Sequence, residues 1–184
     1  IANKPDGMNI NLGCGATHPA TIQELTRTTN AHLGIAFDGD ADRVVFSDSS
    51  GRLINGDRTI GAWCAMKAAG GELDPPVAVG TVMSNGGFEA YLDSLGVRLE
   101  RAAVGDKHVA RRMEETGARI GGEQSGHIIF ADRGVTGDGL ITALEFLRVL
   151  RASGGAGPPH CRSRRSRHVA GALLGRLCRG GGAQ

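Results

Sequence analysis

The stretch PVAVGTVMSNGGFEAYLDSLGVRLERA, residues 76–102, decides the fold class of this sequence. An apolar run over residues 76–83 predicts a buried strand, and residues 97–102 return as a second strand. Between the two strands, Ser84 or Asn85 is predicted to cap a helix. A strand, a helix and a second strand in this order are typical of an α/β domain with a parallel sheet.

The same alternation continues on both sides of this stretch. Upstream, Asp57 is predicted to cap a helix, and downstream a loop over residues 104–107 leads into a helix that ends at Gly117. The remaining predicted elements are strands over 118–121 and 127–130 and a last helix, capped by Asp138, whose apolar side carries Leu140, Ile141, Leu144, Leu147 and Leu150. The pattern predicts an α/β domain over residues 55–152, with a mixed, largely parallel sheet and flanking helices.

The segment before this domain, residues 1–54, is too short for a second complete α/β domain. The elements predicted in it are a helix from residue 19 or 20 to 28 and strands over 33–37, 44–47 and 52–54. We interpret this segment as the C-terminal part of an earlier domain similar to the one that follows.

The charge of the chain is unevenly distributed. Residues 1–145 hold 13 of the 21 Lys and Arg and all 19 Asp and Glu, a net charge of −6. Residues 146–184 hold the other eight basic residues, all Arg, and no acid, a net charge of +8. The overall charge of +2 therefore comes from one basic segment, and nucleic acid is not predicted as a partner. The Gly- and Arg-rich tail, residues 153–184, is predicted to be disordered or translated out of frame.

Composition argues against several classes of protein. The apolar runs are far shorter than the roughly 18 residues that a membrane span needs, and residues 1–9 lack the apolar segment of a signal peptide. None of the four Cys forms a CxxC pair, which argues against a zinc ribbon. Cys14 and Cys64 are interpreted as free thiols, and the protein is expected in the cytoplasm, away from membranes. Because the first residue is Ile1, a fragment of a longer protein is expected.

The strongest chemical signal is DGDADR, residues 38–43, the metal loop, which directly follows a predicted apolar strand. Asp38, Asp40 and Asp42 alternate with small residues, and three carboxylates held together repel one another unless a cation joins them. Ligation by oxygen alone suits Mg²⁺, with Ca²⁺ and Mn²⁺ as chemical alternatives. Arg43 adds a positive charge that suits a phosphate oxygen.

Two familiar kinds of acidic loop fit residues 38–43 less well. An EF-hand needs Gly and Glu at positions where this sequence has Arg43 and Ser49. A phosphatase that forms an aspartyl phosphate would have a small hydroxyl or branched residue where this sequence has Asp42. A solvated acidic turn stays open as an alternative, although such a turn does not usually follow an apolar strand.

A second signal is GGEQSGH, residues 121–127, the sugar loop, between two predicted strands. Its glycines allow backbone conformations that other residues rarely adopt. If the loop is extended, the side chains of Glu123 and Ser125 point the same way. A carboxylate and a hydroxyl that converge suit the vicinal hydroxyls of a sugar, and His127 is a candidate for proton transfer or for phosphate binding. A Gly-rich turn with a capping His is the structural alternative.

A third loop is VGDKH, residues 104–108, the anion loop, at a predicted junction between strand and helix. It places Gly105, Asp106 and Lys107 at a helix N-terminus, where backbone N–H groups and a Lys side chain form a candidate anion site. A simple N-cap by Asp106 accounts for the same residues equally well.

In these loops the sequence resembles the α-D-phosphohexomutase superfamily, and most closely its phosphoglucosamine mutase branch. The metal loop matches the DGDxDR loop of the family, and residues 122–127 match its sugar-recognition loop, with the Gln that is usual in this branch. Three further motifs of the same branch are NINLGCGATHP at 9–19, TVMSN at 81–85 and VGDK at 104–107. The resemblance covers residues 1–153, and so many motifs in one order are not expected by chance.

The resemblance implies a fold of four domains around one cleft. Residues 1–54 correspond to the end of domain two, and residues 55–152 correspond to domain three. The sequence contains neither the Thr/Ser-x-Ser-His-Asn-Pro loop that carries a phosphoserine in domain one nor the Arg-x-Ser-Gly-Thr-Glu-Pro loop of domain four. Domains one and four are therefore expected in the full-length protein.

The activity implied by the resemblance is the interconversion of glucosamine 6-phosphate and glucosamine 1-phosphate, an amino-sugar step toward peptidoglycan precursors. It runs through a phosphoserine and a sugar bisphosphate. Mg²⁺ is implied as the cofactor, on the three Asp of the metal loop, with Arg43 as electrostatic stabiliser. Glu123 and Ser125 are implied to hold the sugar phosphate substrate, together with the anion loop residues Gly105, Asp106 and Lys107. His127 is implied as a proton-transfer group.

Because the phosphoserine loop is absent from the sequence, this chain by itself is expected to be inactive. Three alternatives stay open. The first is a catalytically dead α/β module that binds metal or sugar phosphate. The second is a relative that acts as a phosphomannomutase or phosphoglucomutase, since the amino-sugar preference rests on the resemblance alone. The third is a basic protein that binds nucleic acid through its tail.

Overall fold

The computed structural model describes residues 1–153, and predictions that concern residues 154–184, including Cys161 and Cys178, lie outside the described residues. Strands and helices alternate along this part of the chain. The elements are α1 (Ala20–Thr28), β1 (Leu33–Phe37), β2 (Val44–Asp48), β3 (Leu53–Ile54), α2 (Gly56–Ala69), β4 (Val77–Thr81), α3 (Gly86–Ser94), β5 (Arg98–Ala102), α4 (Asp106–Thr116), β6 (Ile120–Gly122), β7 (Ile128–Phe130) and α5 (Gly139–Ala152).

The larger sheet has four strands in the order β5-β4-β6-β7. Strand β4 pairs in parallel with β5 and with β6, and β7 returns antiparallel to β6. Helices α3 and α4 connect the parallel strands and pack on them, as crossover connections require. The prediction of a mixed, largely parallel sheet with flanking helices is confirmed.

The smaller sheet comes first in the chain and is antiparallel, in the order β1-β2-β3. Helix α1 lies against it so closely that a Cβ atom on Gly34 would be 2.1 Å from Oγ1 of Thr26. This close packing fixes the direction of β1, and therefore the place where the metal loop begins. The interpretation of residues 1–54 as the end of an earlier domain stays a prediction.

A shared apolar core joins the two sheets. Phe46 of β2 and Phe146 of α5 are 0% and 2% exposed, and their rings stack with centroids 4.3 Å apart. Ile54, Ile60 and Ile120, from β3, α2 and β6, belong to the same buried cluster. The sheet that carries the metal loop is thereby fixed against the sheet that carries the sugar loop.

The predicted N-cap of α2 is wrong by two residues. The side chain of Asn55 accepts the N–H of Arg58 and caps the helix. Asp57, which is only 3% exposed, instead accepts the hydroxyl of Ser84 at 3.0 Å and the N–H of Asn85 at 2.9 Å. Asp57 therefore links the start of α2 to the loop after β4, and burial raises its pKa despite these hydrogen bonds.

The predicted apolar side of α5 is wrong for three of its five residues. Leu140, Leu144 and Leu147 are 59%, 56% and 42% exposed, whereas Phe146 and Leu150 face the core. Because Phe146 stacks on Phe46, the face of α5 that carries Phe146 is buried. The three leucines lie on the adjacent face, which is exposed. In the part of the chain that the structure describes, no helix is long and apolar enough to cross a membrane, and Cys14 and Cys64 are free thiols, as predicted.

Candidate active site

The metal loop connects β1 to β2 at one end of the smaller sheet. Asp38, directly after β1, is 7% exposed, Asp42 is half-buried and Asp40 is exposed. One ligand atom from each of these residues lies within 4.8 Å of those from the other two. The structure therefore brings the three predicted carboxylates to one place, at the end of a strand.

The chemistry of this cluster fits a hard divalent cation. Oδ1 of Asp38 accepts the N–H of Arg43 at 3.1 Å, but the buried Oδ2 receives no hydrogen bond from any residue within 1–153. The Nε atom of Arg43 lies 2.7 Å from this Oδ2 as an ion pair, without the angle of a hydrogen bond. Three carboxylates are thus gathered beside one guanidinium, and oxygen ligands of this kind suit a hard divalent cation.

The metal loop is held in an unusual conformation by the start of α5. Ala41 has a φ of 59°, a left-handed conformation that costs a residue with a Cβ about 1–2 kcal/mol. Its carbonyl oxygen accepts the N–H of Gly139 at 2.9 Å. A Cβ atom on Gly139 would lie 2.7 Å from this oxygen, so only glycine lets the helix approach so closely. The hydrogen bond from Gly139, almost 100 residues further along the chain, therefore stabilises the strained turn that brings the carboxylates together.

Arg43 supplies the positive charge next to the cluster. Its Nε atom also donates to Oδ1 of Asp42 at 3.3 Å, and its side chain is 38% exposed. Burial lowers the pKa of Arg43, but the carboxylates of Asp38 and Asp42 outweigh burial and raise it above the ordinary value. The guanidinium group therefore stays charged, and its exposed part is accessible to an anion.

In the sugar loop, the Glu123 and Ser125 side chains converge. The hydroxyl of Ser125 donates to Oε2 of Glu123 at 3.1 Å, and Oε1 of the same carboxylate accepts the N–H of Gly105 at 2.8 Å. Glu123 is half-buried and Ser125 is exposed. The sugar loop and the anion loop therefore meet at one carboxylate, which places the predicted sugar-binding residues beside Gly105.

The anion loop leaves its charged side chains in solvent. Gly105, with a φ of 124°, is the N-cap of α4, and no side chain of the described residues caps this helix. The alternative prediction of an N-cap by Asp106 is therefore wrong, because within residues 1–153 its carboxylate accepts the adjacent N–H of Lys107 and none further along the helix. Asp106 and Lys107 are both exposed at the end of the parallel strand β5.

Backbone hydrogen bonds tie the metal loop to the sugar loop. The N–H of Val44 donates to the carbonyl of Gly126 at 3.2 Å, and Arg43 pairs with His127 in an antiparallel bridge. A Cβ atom on Gly126 would lie 2.2 Å from the carbonyl oxygen of Val44. Two segments far apart in the sequence thus form one continuous surface.

His127 joins the two loops through its side chain. It is 7% exposed, its Nδ1 atom lies 3.0 Å from Oδ2 of Asp42, and its Nε2 atom accepts the N–H of Gly137 at 3.1 Å. Sequence reasoning missed Gly137, because a single glycine in the loop before α5 carries no motif. The local signal that could have found Gly137 is its position directly before Asp138, the predicted N-cap of α5.

The match to known families comes from the larger α/β unit. Residues 55–161, more than half of the chain, match the family described as phosphoglucomutase/phosphomannomutase, alpha/beta/alpha domain III. The chain belongs to this family. The match extends beyond residue 153, where the resemblance was expected to end.

The chain is similar to relatives and to a solved structure of this family. It is 52% identical over 149 residues to a phosphoglucosamine mutase of Thermotoga sp. strain RQ2, covering 81% of this chain and 34% of the relative. It is 51% identical over 154 residues to a phosphoglucosamine mutase of Maricaulis maris, covering 84% and 34%. A family protein from Burkholderia thailandensis superposes with a TM-score of 0.68 at 26% identity, over 88% of this chain and 33% of that one. The chain spans about a third of the length of the curated relatives that it matches.

Proposed function

We propose that this chain is the part of a phosphoglucosamine mutase that supplies the metal loop and the sugar loop. The observation that carries the proposal is the meeting of the two loops in one site, through His127 and the backbone of Val44 and Gly126. The similarity to two proteins of that name, at 52% and 51% identity, favours the amino sugar as substrate.

Asp38, Asp40 and Asp42 are proposed to hold Mg²⁺ in the complete enzyme. When bound, the ion would neutralise charge on a phosphoryl group that is being transferred. The convergence of one ligand atom from each of the three residues, all within 4.8 Å of one another, supports this assignment. Arg43 extends the positive region, since its guanidinium is partly exposed beside the carboxylates and would attract a phosphate oxygen.

Glu123 and Ser125 are proposed to bind two hydroxyl groups of the sugar. In the structure their side chains are hydrogen-bonded to each other, so they already have the spacing for neighbouring hydroxyls. The anion loop would bind the phosphate that is not transferred, through the exposed side chain of Lys107 at the N-terminus of α4. The role of Asp106 would be to hold Lys107 at the helix start, since it accepts the Lys107 N–H.

The chain by itself is proposed to bind substrate without turning it over, because the resemblance implies a phosphoserine nucleophile on a loop that the sequence does not contain. We also propose that the full-length protein has domains one and four, with the phosphoserine in domain one. Proton transfer by His127 stays a prediction. The dead-module alternative is not favoured, because relatives at 52% and 51% identity are named phosphoglucosamine mutase. A phosphomannomutase or phosphoglucomutase relative would differ in the sugar that it prefers.

The test compares sugar phosphates on the 184-residue chain. Amide NMR titration with glucosamine 6-phosphate is expected to shift the signals of residues 104–108 and 121–127, and glucose 6-phosphate and mannose 6-phosphate are expected to bind more weakly. Glu123→Gln is expected to weaken glucosamine 6-phosphate binding about tenfold, since a hydrogen bond to a charged group is lost. Glu114→Gln, at an exposed position on α4, is the matched control and should bind like the parent chain.

Two results would contradict this proposal. Tighter binding of mannose or glucose 6-phosphate would favour the other members of the family. Formation of glucosamine 1-phosphate by the isolated chain, at an ordinary rate of about 1–10³ s⁻¹, would mean that the chain contains a nucleophile of its own.

A further inference from the structure

Three apolar side chains are exposed at the edge of the larger sheet where its parallel strands end. Val82 and Met83 directly follow β4, and Val104 follows β5 after one intervening residue. These three residues, the apolar rim, are 62%, 65% and 56% exposed. The N–H of Val82 donates to the carbonyl of Ala102 at 3.0 Å, so the loops that follow the two strands start side by side.

The loop after β4 is held in place by hydrogen bonds from α2 and β5. The buried carboxylate of Asp57 accepts the hydroxyl of Ser84 at 3.0 Å. The guanidinium of Arg101 donates to the carbonyl oxygens of Thr81 at 3.1 Å and of Ser84 at 3.0 Å. The N–H of Met83 donates to Oγ1 of Thr81 at 3.2 Å. Because the backbone is fixed on both sides of Met83, the exposed position of this residue is built into the fold.

The apolar rim is continuous with the proposed sugar site. Val104 directly precedes Gly105, whose N–H donates to Oε1 of Glu123 at 2.8 Å. Strand β4 lies between β5 and β6 in the sheet, so the loop after β4 lies between the anion loop and the sugar loop. Ligands of open parallel sheets bind in the crevice at this edge. The apolar rim and the polar groups of the sugar loop therefore border the same crevice.

A sugar ring presents two kinds of surface to a protein. Its hydroxyl groups need hydrogen-bond partners, whereas its C–H groups form an apolar face. Binding sites for small molecules combine both kinds of contact, since apolar side chains supply most of the buried surface and a few polar groups fix the orientation. Glu123 and Ser125 supply the polar part in the proposed site. The apolar rim is the apolar surface next to them, and its side chains gain free energy when a ligand removes them from water.

We propose that the apolar rim contacts the C–H face of the sugar ring when the sugar phosphate is bound. This inference rests on the proposed function, because the sugar must lie beside Glu123 and Ser125. Inorganic phosphate has no C–H groups and gains nothing from the rim. The rim therefore contributes to the affinity for the sugar and leaves the affinity for phosphate alone unchanged, which separates its role from that of Lys107.

The first test is NMR spectroscopy of the 184-residue chain with ¹³C-labelled methionine methyl groups. With glucosamine 6-phosphate bound, we expect nuclear Overhauser effects between the ring protons of the sugar and the methyl group of Met83. Met8, which is 89% exposed in the segment before α1, is the control within the same spectrum and should show none. Amide shifts at residues 104–108 and 121–127, without a contact to the Met83 methyl group, would overturn this inference and leave the proposed function standing.

The second test measures, by NMR titration, the affinities for glucosamine 6-phosphate and for inorganic phosphate. Met83→Ala is expected to weaken binding of the sugar phosphate about threefold to tenfold, since apolar contact area is lost, and to leave phosphate binding unchanged. Met83→Leu keeps most of the apolar volume and should restore most of the affinity. Leu144→Ala changes a similarly exposed residue of α5 and is the control that should bind both ligands like the parent chain.

The possible failures of the second test have different meanings. Unchanged affinity of Met83→Ala for the sugar phosphate would refute the inference alone. An equal loss for the sugar phosphate and for inorganic phosphate would also refute it, because Met83 would then act through the anion loop. A parent chain that binds neither ligand would refute the proposed function and this inference together.

Discussion

Gly126 is the point at which the sugar loop touches the strand that follows the metal loop, and Gly126→Ala tests how closely the two are joined. The residue has a φ of 100°. A Cβ atom there would lie 2.2 Å from the carbonyl oxygen of Val44 and 2.9 Å from its carbonyl carbon. Both contacts are with backbone, which cannot rotate away as a flexible side chain would. The substitution is therefore expected to force the two loops apart.

Two costs contribute to the expected loss of stability. A positive φ costs a residue with a Cβ about 1–2 kcal/mol. Displacement of the backbone would weaken the hydrogen bond from the N–H of Val44 to the carbonyl of Gly126, now 3.2 Å long, and a backbone hydrogen bond contributes about 0.5–1.5 kcal/mol. The free energy of unfolding should fall by about 1.5–3.5 kcal/mol. For a chain of this size, this lowers Tm by roughly 3–14 °C.

The assay is thermal unfolding followed by circular dichroism and calorimetry. Gly96→Ala is the matched control, because Gly96 has a φ of 71° with no described atom within 4 Å of its Cβ. This control carries the conformational cost alone, about 1–2 kcal/mol. A Gly126→Ala chain that melts at or above the Tm of Gly96→Ala would show that the close approach to Val44 carries no cost.

Three further predictions concern stability. Glu145→Gln should lower the free energy of unfolding at neutral pH by about 1–3 kcal/mol, because this buried carboxylate binds Arg148, Trp63 and Arg133. Burial raises the pKa of Glu145, but these hydrogen bonds together lower it below the ordinary value. The stability that the Glu145 carboxylate contributes is therefore present above its unfolded pKa and is lost as pH falls through its folded pKa. Urea titrations of the parent and the variant should accordingly give the same free energy of unfolding in acid. Ala41→Gly should raise Tm by a few degrees, through relief of about 1 kcal/mol of left-handed strain, and a lower Tm would contradict this. A chain that ends at Ser153 should keep the Tm of the full chain within about 3 °C, less than 1 kcal/mol, and a larger drop would show that residues beyond 153 stabilise the domain.

The sequence predicts the order of strands and helices well, because each element depends on local periodicity and on caps next to it. Asn85 and Asp138 cap α3 and α5 as predicted. Local pattern assigns Asp57 to a cap, because its true partners, Ser84 and Asn85, lie on another loop. No local pattern shows which polar residues in separate loops will meet.

The predicted metal-binding residues come together because they are neighbours in the sequence. The contacts that hold them in place come from distant segments, which the sequence does not show to be near. The three carboxylates of the metal loop are close because they share a tight turn. The contact between Asp42 and His127 forms where the backbone of Val44 meets that of Gly126, and the one between His127 and Gly137 depends on a missing side chain. The leucines of α5 gave a wrong prediction of its buried side because that side is determined by a distant contact, the stacking of Phe146 on Phe46.

Asp38, Asp40 and Asp42 are proposed to hold a divalent cation together, beside the sugar loop. X-ray diffraction at the manganese absorption edge, on crystals of the chain grown with Mn²⁺, tests it most directly. We expect one anomalous peak within about 2.0–2.6 Å of a carboxylate oxygen from each of the three residues, the range of hard cations. Crystals of Asp40→Asn should show a weaker peak or none. A strong peak at other carboxylates, with density for these three residues free of metal, would show that the cation binds elsewhere on the chain.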